Sequence, residues 1–304
     1  MKKTMNQTYK NQVTLLLNIL PEVAKEKSFA MHGGTAINLF VRDMPRLSVD
    51  IDLTYVNIED RVTTLQNISK ALLRIKSSVT SAFPRIKVQH LQEKGKLLIS
   101  SETAAIKLEV NLVARGLISE AVLVPLCSHA QQEFNAFAEI QIVSLGQLYG
   151  GKICAALDRQ HPRDLFDVRY LLNNIGITDE IKKGFLYSLL SSDRPINELL
   201  APNLSDQSAA FENHFSGMSI EAFSYEDYEQ TRVKLVEVIS QSLSEKDKEF
   251  ILSFNKTTPD WTLYDFSEFP SIRWKMQNLE ILKNKDIKKF TLQLKALEQA
   301  LGRY

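Results

Sequence analysis

The chain has few of the residues that build metal cages and disulfide frameworks. Only Cys127 and Cys154 occur among 304 residues. Their spacing suits no zinc site, and two thiols make no framework. No HExxH, CxxC, GxSxG or Walker sequence is present. Zinc hydrolysis, serine hydrolysis and P-loop chemistry therefore have no support. No apolar run approaches the roughly 18 residues of a membrane span. The opening MKKTMNQTYKNQ is basic, then polar, and the apolar stretch after it is broken by Thr14 and Asn18 without a small-residue cleavage site. A secretory leader is not expected from such a pattern, and the cytoplasm is the default location. Repeats and low-complexity tracts are missing too, which argues against a disordered or solenoid chain.

What is present is ordinary in amount and uneven in placement. Apolar residues make up 44% and charged residues 24%, enough for a sizeable core in one large or two medium domains. The net charge is +1, too small for a dedicated nucleic-acid binder. Residues 191–270 nevertheless carry 15 acidic against 6 basic residues, and residues 271–304 carry 8 basic against 3 acidic. An acidic module thus precedes a basic end. Those lysines either solvate a terminal helix or present positive surface to a phosphate backbone.

Periodicity predicts an α/β first part, residues 1–140, and a helical second part, residues 141–304. A helix is expected over 6–27, with Pro21 inside it or breaking it. A short strand over 28–31 meets Gly33-Gly34, and a helix follows over 35–42. Residues 47–55 alternate as a strand, with Leu47, Val49, Ile51 and Leu53 on one face and Ser48, Asp50, Asp52 and Thr54 on the other. A helix over 60–76, a strand pair around Lys94-Gly95 and an alternating strand over 105–114 come next. Ser144 is expected to cap a helix reaching Arg159, and Pro162 to open another. Later helices are expected over 246–254 and 275–301.

The most informative stretch joins the glycine pair to Asp50-Ile51-Asp52. Two aspartates at i and i+2 on a strand point the same way, roughly 6.5–7 Å apart. Adjacent carboxylates repel unless positive charge sits among them. Magnesium suits carboxylate and phosphate oxygens, and two ions held ~3.5–4 Å apart would supply that charge. Such a pair aligns an attacking hydroxyl with a nucleotide α-phosphate. Glycines without Cβ atoms let backbone N–H groups approach phosphates, and the helix after them adds its dipole. An isolated Asp-x-Asp more often marks an exposed strand, and an isolated glycine pair a turn. The specific signal is their order: strand, glycines, helix, loop, strand.

The residues Phe29-Ala30-Met31-His32-Gly33-Gly34-Thr35-Ala36-Ile37-Asn38-Leu39-Phe40, followed by Pro45-Arg46-Leu47-Ser48-Val49-Asp50-Ile51-Asp52-Leu53, resemble the signature of the AbiEii/AbiGii toxin family. These are nucleotidyltransferase-like toxins of the DNA polymerase β superfold, found in bacterial toxin–antitoxin and phage-abortive systems. Lys152 to Arg159 and Arg163-Asp164-Leu165-Phe166-Asp167 resemble the family's second block, and Phe269-Pro270-Ser271-Ile272-Arg273-Trp274-Lys275 is similar to a C-terminal one. The resemblance spans most of the chain. Fifteen residues separate Gly34 from Asp50, more than the family pattern leads one to expect. The excess lies around Asp43 to Pro45, at the expected acceptor entrance.

The resemblance implies a polymerase β-like mixed sheet with flanking helices, a helical domain after it and a site in the cleft between. It implies transfer of a nucleoside monophosphate from NTP with loss of pyrophosphate. The metal would be held by Asp50 and Asp52, with two magnesium ions. Glu109, on the polar face of its strand, is the candidate third carboxylate and base, or else an exposed glutamate paired with Lys107 or Arg115. Gly33, Gly34, Thr35, Ser48 and Lys152 would hold the triphosphate. Asp164 would join the site, contacting Lys152 or the nucleotide, or simply serve its helix N-terminus. Arg163 and Asp167 read as structural partners of that helix. His32 reads as packing rather than a base, and His161 as loop. The acceptor would be RNA, with the tRNA 3′ end foremost, and a cognate antitoxin would be encoded nearby. A protein or small-molecule acceptor, and a non-catalytic binding module on the same fold, remain alternatives.

Overall fold

The computed structural model describes residues 6–302; residues 1–5, which include the basic start of the chain, and 303–304 lie outside the description. The chain forms two compact units. The first runs through Ser144 and takes back the distant segment Phe215–Phe223. The second comprises Leu145–His214 and Ser224 onward. The return of Phe215–Phe223 is the main departure from a simple division near residue 140. It has a backbone cause: Leu47 N–H donates to Met218 O at 2.8 Å, Ile220 N–H donates to Pro45 O at 2.9 Å, and Arg46 bridges Ser219 in antiparallel fashion.

The first unit is built on a seven-stranded mixed sheet of order β3-β4-β5-β2-β1-β7-β6. The strands are β1 (Phe29–His32), β2 (Ile51–Tyr55), β3 (Lys87–Leu91), β4 (Lys96–Ser100), β5 (Ala105–Asn111), β6 (Val122–Pro125) and β7 (Glu139–Ile142). β2 runs antiparallel to β1 and parallel to β5, and β7 runs parallel to β1. Helix α1 (Gln7–Val23) is capped by the Asn6 side chain, which accepts from Thr8 N–H. It buries Val13, Leu16, Leu17, Leu20 and Val23 at helical spacing. Pro21 neither breaks nor bisects it but lies in its last turn. Helix α3 (Arg61–Ala82) starts at an Asp60 cap and outruns its sequence expectation because Val79 is also buried. The alternation of β5 stops at Asn111, whose side chain accepts from the N–H groups of Val113 and Ala114 and ends the strand.

The second unit is helical. Its elements are α5 (Leu145–Arg159), α6 (Pro162–Asn174), α7 (Asp179–Ser191), α8 (Ile196–Leu200), α9 (Ser208–His214), α10 (Tyr225–Ser242), α11 (Glu245–Asn255), α12 (Pro270–Lys285) and α13 (Ile287–Ala300). α5 and α7 cross at glycines. A Cβ on Gly150 would be driven into the Gly184 backbone, and one on Gly184 into that of Gly146. The backbones therefore approach as no larger residue permits. The helix expected over 275–301 is two helices. Asp286 leaves helical geometry (φ −145°, ψ 75°), and its carboxylate caps α13 by accepting from Lys289 N–H. Among the described residues, no helix is long and apolar enough to cross a membrane.

Candidate active site

The glycine pair lies where β1 ends. There β1 sets His32 opposite Asp52, and the chain turns at Gly33 with φ +79°. A Cβ at Gly33 would stand 2.5 Å from Asp52 Oδ2. The carboxylate thus packs against bare backbone, in a conformation that also favours glycine. The helical segment begins at Gly33 itself, two residues before the start expected from sequence. It runs as α2 (Gly33–Thr35) and widens into a π-helix over Ala36–Val41, closed by Arg42 N–H donating to Ile37 O at 2.8 Å. Such widened turns concentrate at functional sites. The first N–H groups of the segment have no helical acceptor, and the positive end of its dipole lies with them.

Asp50 immediately precedes β2. The regular strand expected from residue 47 starts at Ile51, so Ser48 and Asp50 belong to a loop. Side chains fix that loop to the glycine turn. The Thr35 hydroxyl bonds the Asp50 carbonyl and lies 3.1 Å from the Ser48 hydroxyl. Thr35 and Ser48 are buried, while Asp50 and Asp52 are half-buried. Arg46, 2% exposed, reaches in behind them. Its guanidinium and the Ser48 hydroxyl are what a Cβ on Gly34 would meet first. Arg46 lay inside the quoted motif but drew no role from sequence, because its packing against Gly34 and its bridge to Ser219 are tertiary features.

Strand β5 is the other neighbour of β2, and Glu109 is the register partner of Asp52. Lys107 lies two residues before Glu109 on the same face of β5, within reach of the charges of Asp50 and Asp52. Across the next strand, Lys96 is the register partner of Glu109. A row of charge therefore crosses the sheet face: Asp52, Glu109, Lys96, with Asp50 and Lys107 alongside. Lys96 Nζ is 2.8 Å from Glu109 Oε1, and Lys107 Nζ is 3.2 Å from Oε2. Burial raises the Glu109 pKa, but the hydrogen bonds from Lys96 and Lys107 bring it below the usual glutamate value. Burial likewise opposes the Lys107 charge, yet Asp50, then Glu109, then Asp52 raise its pKa. Among the described residues, no three His, Cys, Asp or Glu side chains form a ready metal cage. On the other side of Asp52, His32 Nδ1 lies 3.0 Å from the Thr54 hydroxyl.

The second unit carries a different cluster. Lys152 on α5 is 7% exposed and sits between two carboxylates of α6, at 2.8 Å from Asp164 Oδ1 and 3.1 Å from Asp167 Oδ2. Lys152 does not snorkel to solvent. Arg159 closes the group, with Nε 2.6 Å from Asp164 Oδ2 and Nη2 3.1 Å from Oδ1. Burial favours the neutral acid at Asp164, but the Lys152 charge and then the Arg159 hydrogen bond outweigh it and hold the carboxyl well below its ordinary range. His161 lies in the short connection between α5 and α6, as expected, and it has a further part there. Its Nδ1 accepts from Arg163 N–H at 3.2 Å as the N-cap of α6. Burial, followed by the nearby Arg163 charge, lowers its pKa to about 4.

The first unit thus carries a glycine turn and paired aspartates on a mixed sheet, and the second a buried lysine between two carboxylates. The family model described as "Nucleotidyl transferase AbiEii toxin, Type IV TA system" matches residues 14–278. The chain belongs to that family, and it is a nucleotidyltransferase of the toxin–antitoxin kind. Its fold is similar to that of MenT4, a nucleotidyltransferase toxin from Mycobacterium tuberculosis, with TM-score 0.60 and 12% identity over 90% of this chain and 97% of that one. No curated protein matches the sequence.

Proposed function

We propose that the protein transfers a nucleoside monophosphate from an NTP to an RNA hydroxyl, foremost the tRNA 3′ end, and releases pyrophosphate. The observation that carries this reading is the sheet face on which Asp50 and Asp52 meet the glycine turn. The donor set fits magnesium: two half-buried carboxylates offer hard oxygen ligands, and a lysine is already drawn to their charge. Asp50 and Asp52 would hold the ion, which supplies Lewis acidity at the α-phosphate and charge for the departing pyrophosphate.

The remaining roles belong to the chain. Backbone N–H groups of Gly33, Gly34 and Thr35 bind phosphate oxygens, and Ser48 donates a hydroxyl. Arg46 backs this anion pocket with a fixed positive charge. Glu109 completes the carboxylate face and draws the acceptor's proton toward it. The family resemblance assigns Lys152 to the triphosphate, and Asp164 orients Lys152. The basic residues of α12 and α13 suit an RNA acceptor. Cytoplasmic action, a role in abortive phage defence and control by a cognate antitoxin accompany this reading.

The test incubates the protein with magnesium, total cellular RNA and each α-labelled NTP in turn, beside Asp50→Ala. Label in a tRNA-sized band with one NTP, absent in the variant, is expected. Label in protein or small molecules would redirect the acceptor, and label nowhere would remove the transfer reading.

A further inference from the structure

Helices α12 and α13 of the second unit each keep one face in solvent. On α12, Trp274, Asn278, Ile281 and Lys285 are all exposed and recur at i, i+4, i+7 and i+11, the spacing of a single stripe along a helix. On α13, Lys288, Leu292, Lys295 and Gln299 repeat that spacing and exposure. Trp274 is 55% exposed and Leu292 68%, while the opposite faces bury Ile272 and Leu279 on α12 and Phe290 and Leu297 on α13. Large apolar side chains aligned in water point to a partner, and the charges identify its chemistry. Arg273 is held by Glu268 at 2.6 Å, Lys275 is buried and donates to Arg194 O, and Lys283 bonds Lys256 O and Thr257 Oγ1. The ammonium groups of Lys285, Lys288, Lys289 and Lys295 have no hydrogen-bond or ion-pair partner among the described residues. By contrast, Lys182, Lys248 and Lys256 of the same unit each have a carboxylate at 3.8 Å or less. Neither stripe contains a carboxylate. Glu280 lies roughly 120° around α12 from Trp274, Asp286 caps α13, and Glu298 faces Lys256 at 3.8 Å. Lys288 and Lys289 also occupy the first turn of α13, where the helix dipole opposes positive charge, so the helix itself gains nothing from them.

We propose that these two stripes grip the RNA acceptor, with Trp274 stacking on an unpaired base and Lys285, Lys288 and Lys295 contacting its phosphates. The inference rests on the reading of RNA as the acceptor and names the part of the chain that holds it. The flat face of a base is apolar and displaces water from an exposed indole, whichever base it is. In a duplex both faces of a base are already covered, so the indole favours a single-stranded nucleotide. Lysines without carboxylate partners exchange only water and counter-ions for phosphate, which supplies affinity without reading sequence. Ile281 and Leu292 add apolar contact between the charges, and the amides of Asn278 and Gln299 offer hydrogen bonds that carry no net charge.

The test reads RNA binding apart from turnover. Full-length protein is titrated into labelled bulk deacylated tRNA without NTP, and filter binding is measured at several salt concentrations. Trp274→Ala is expected to weaken binding at least tenfold, and Trp274→Phe, which keeps a ring to stack, to stay within threefold of the wild type. The triple variant Lys285→Gln, Lys288→Gln, Lys295→Gln is expected to lose at least tenfold at low salt. Its slope of log K against log salt should be shallower by about 2, on the scale of about 0.7 for each single-strand phosphate. Lys234→Gln, at an exposed position of α10, is expected to bind as the wild type does. Unfolding curves establish that each variant is folded. Wild-type affinity in both Trp274→Ala and the triple variant would overturn the proposal while leaving RNA as the acceptor. An equal loss in Lys234→Gln would reduce the effect to net charge and overturn it as well. If Trp274→Ala altered the sedimentation of the free protein but not its RNA affinity, the stripe would be a contact between copies of the chain, and the proposal would fall. A wild type that binds no RNA would remove this surface and, with no label entering RNA in the transfer assay, the RNA-acceptor reading too.

Discussion

Two charged clusters carry the candidate chemistry, and they are built in opposite ways. In the first unit, Asp50, Asp52, Glu109, Lys107 and Lys96 spread over a half-buried sheet face. In the second, Lys152, Asp164 and Asp167 are nearly or fully buried at their side chains and pair with one another, while Arg159 reaches in from solvent. A half-exposed face of mixed charge can take up a cation and give it back. A buried group with matched charges is already satisfied, and losing one member strands the others in a medium that penalises isolated charge. The first arrangement is suited to binding and release, the second to holding Lys152 at a fixed position.

That contrast predicts opposite outcomes for apparently similar substitutions. Asp50→Ala removes one of two repelling carboxylates and half of the proposed ion site. Nucleotidyl transfer should fall by on the order of 10³-fold, the scale of losing a principal electrostatic group, while the melting temperature stays level or rises. Lys152→Met should do the reverse to stability. It leaves Asp164 and Asp167 buried without their shared cation, at a cost of about 3–5 kcal/mol, read from urea unfolding. If Lys152→Met unfolded like the wild type and Asp50→Ala were the destabilised protein, the division between binding face and structural cluster would be reversed.

The sequence disclosed these clusters unequally, for physical reasons. Strand β2 and its glycine turn were legible because a two-residue period and an unusual glycine pair are local signals. Lys152 and Asp164 were legible as residues, but the addition of Asp167 depends on how α5 and α6 face each other. Lys107 was visible as a neighbour of Glu109, yet its approach to the aspartates depends on β5 pairing with β2, which no single-strand pattern reveals. Arg46 stayed hidden because its backbone pairs with a segment about 170 residues further along the chain and its guanidinium packs at Gly34, neither of which is a local signal. The short edge strand β6 and helix α4 (Ser128–Phe134) went unread: three of the four β6 residues are exposed, so no alternation marks it. The break at Asp286 was missed because a capping aspartate inside a helical pattern looks like an ordinary polar position.

Gly33→Ala probes the first cluster at its backbone. The new Cβ would meet the Asp52 carboxylate, and φ +79° disfavours any side chain. A stability loss of about 1–3 kcal/mol is expected, with transfer activity falling further than stability alone explains because Asp52 is displaced. A variant with full activity and altered melting only would separate the turn from the site.

The smallest effect expected lies in the second unit, at the cap of α6. His161 titrates near 6.5 when unfolded and at about 4 when folded, because burial and the Arg163 charge favour the neutral ring that accepts from Arg163 N–H. Between these values the unfolded chain binds more protons, so stability rises with pH across the window. The contribution is complete above about pH 6.5, is lost as pH falls toward 4, and levels off below. His161→Asn keeps an oxygen that can cap the helix but does not titrate. It should flatten that part of the stability profile while leaving the neutral-pH melting temperature within a few degrees of wild type. An unchanged slope between pH 4 and 6.5 would mean the imidazole is protonated in the folded protein, and the α6 cap would then have to come from another acceptor.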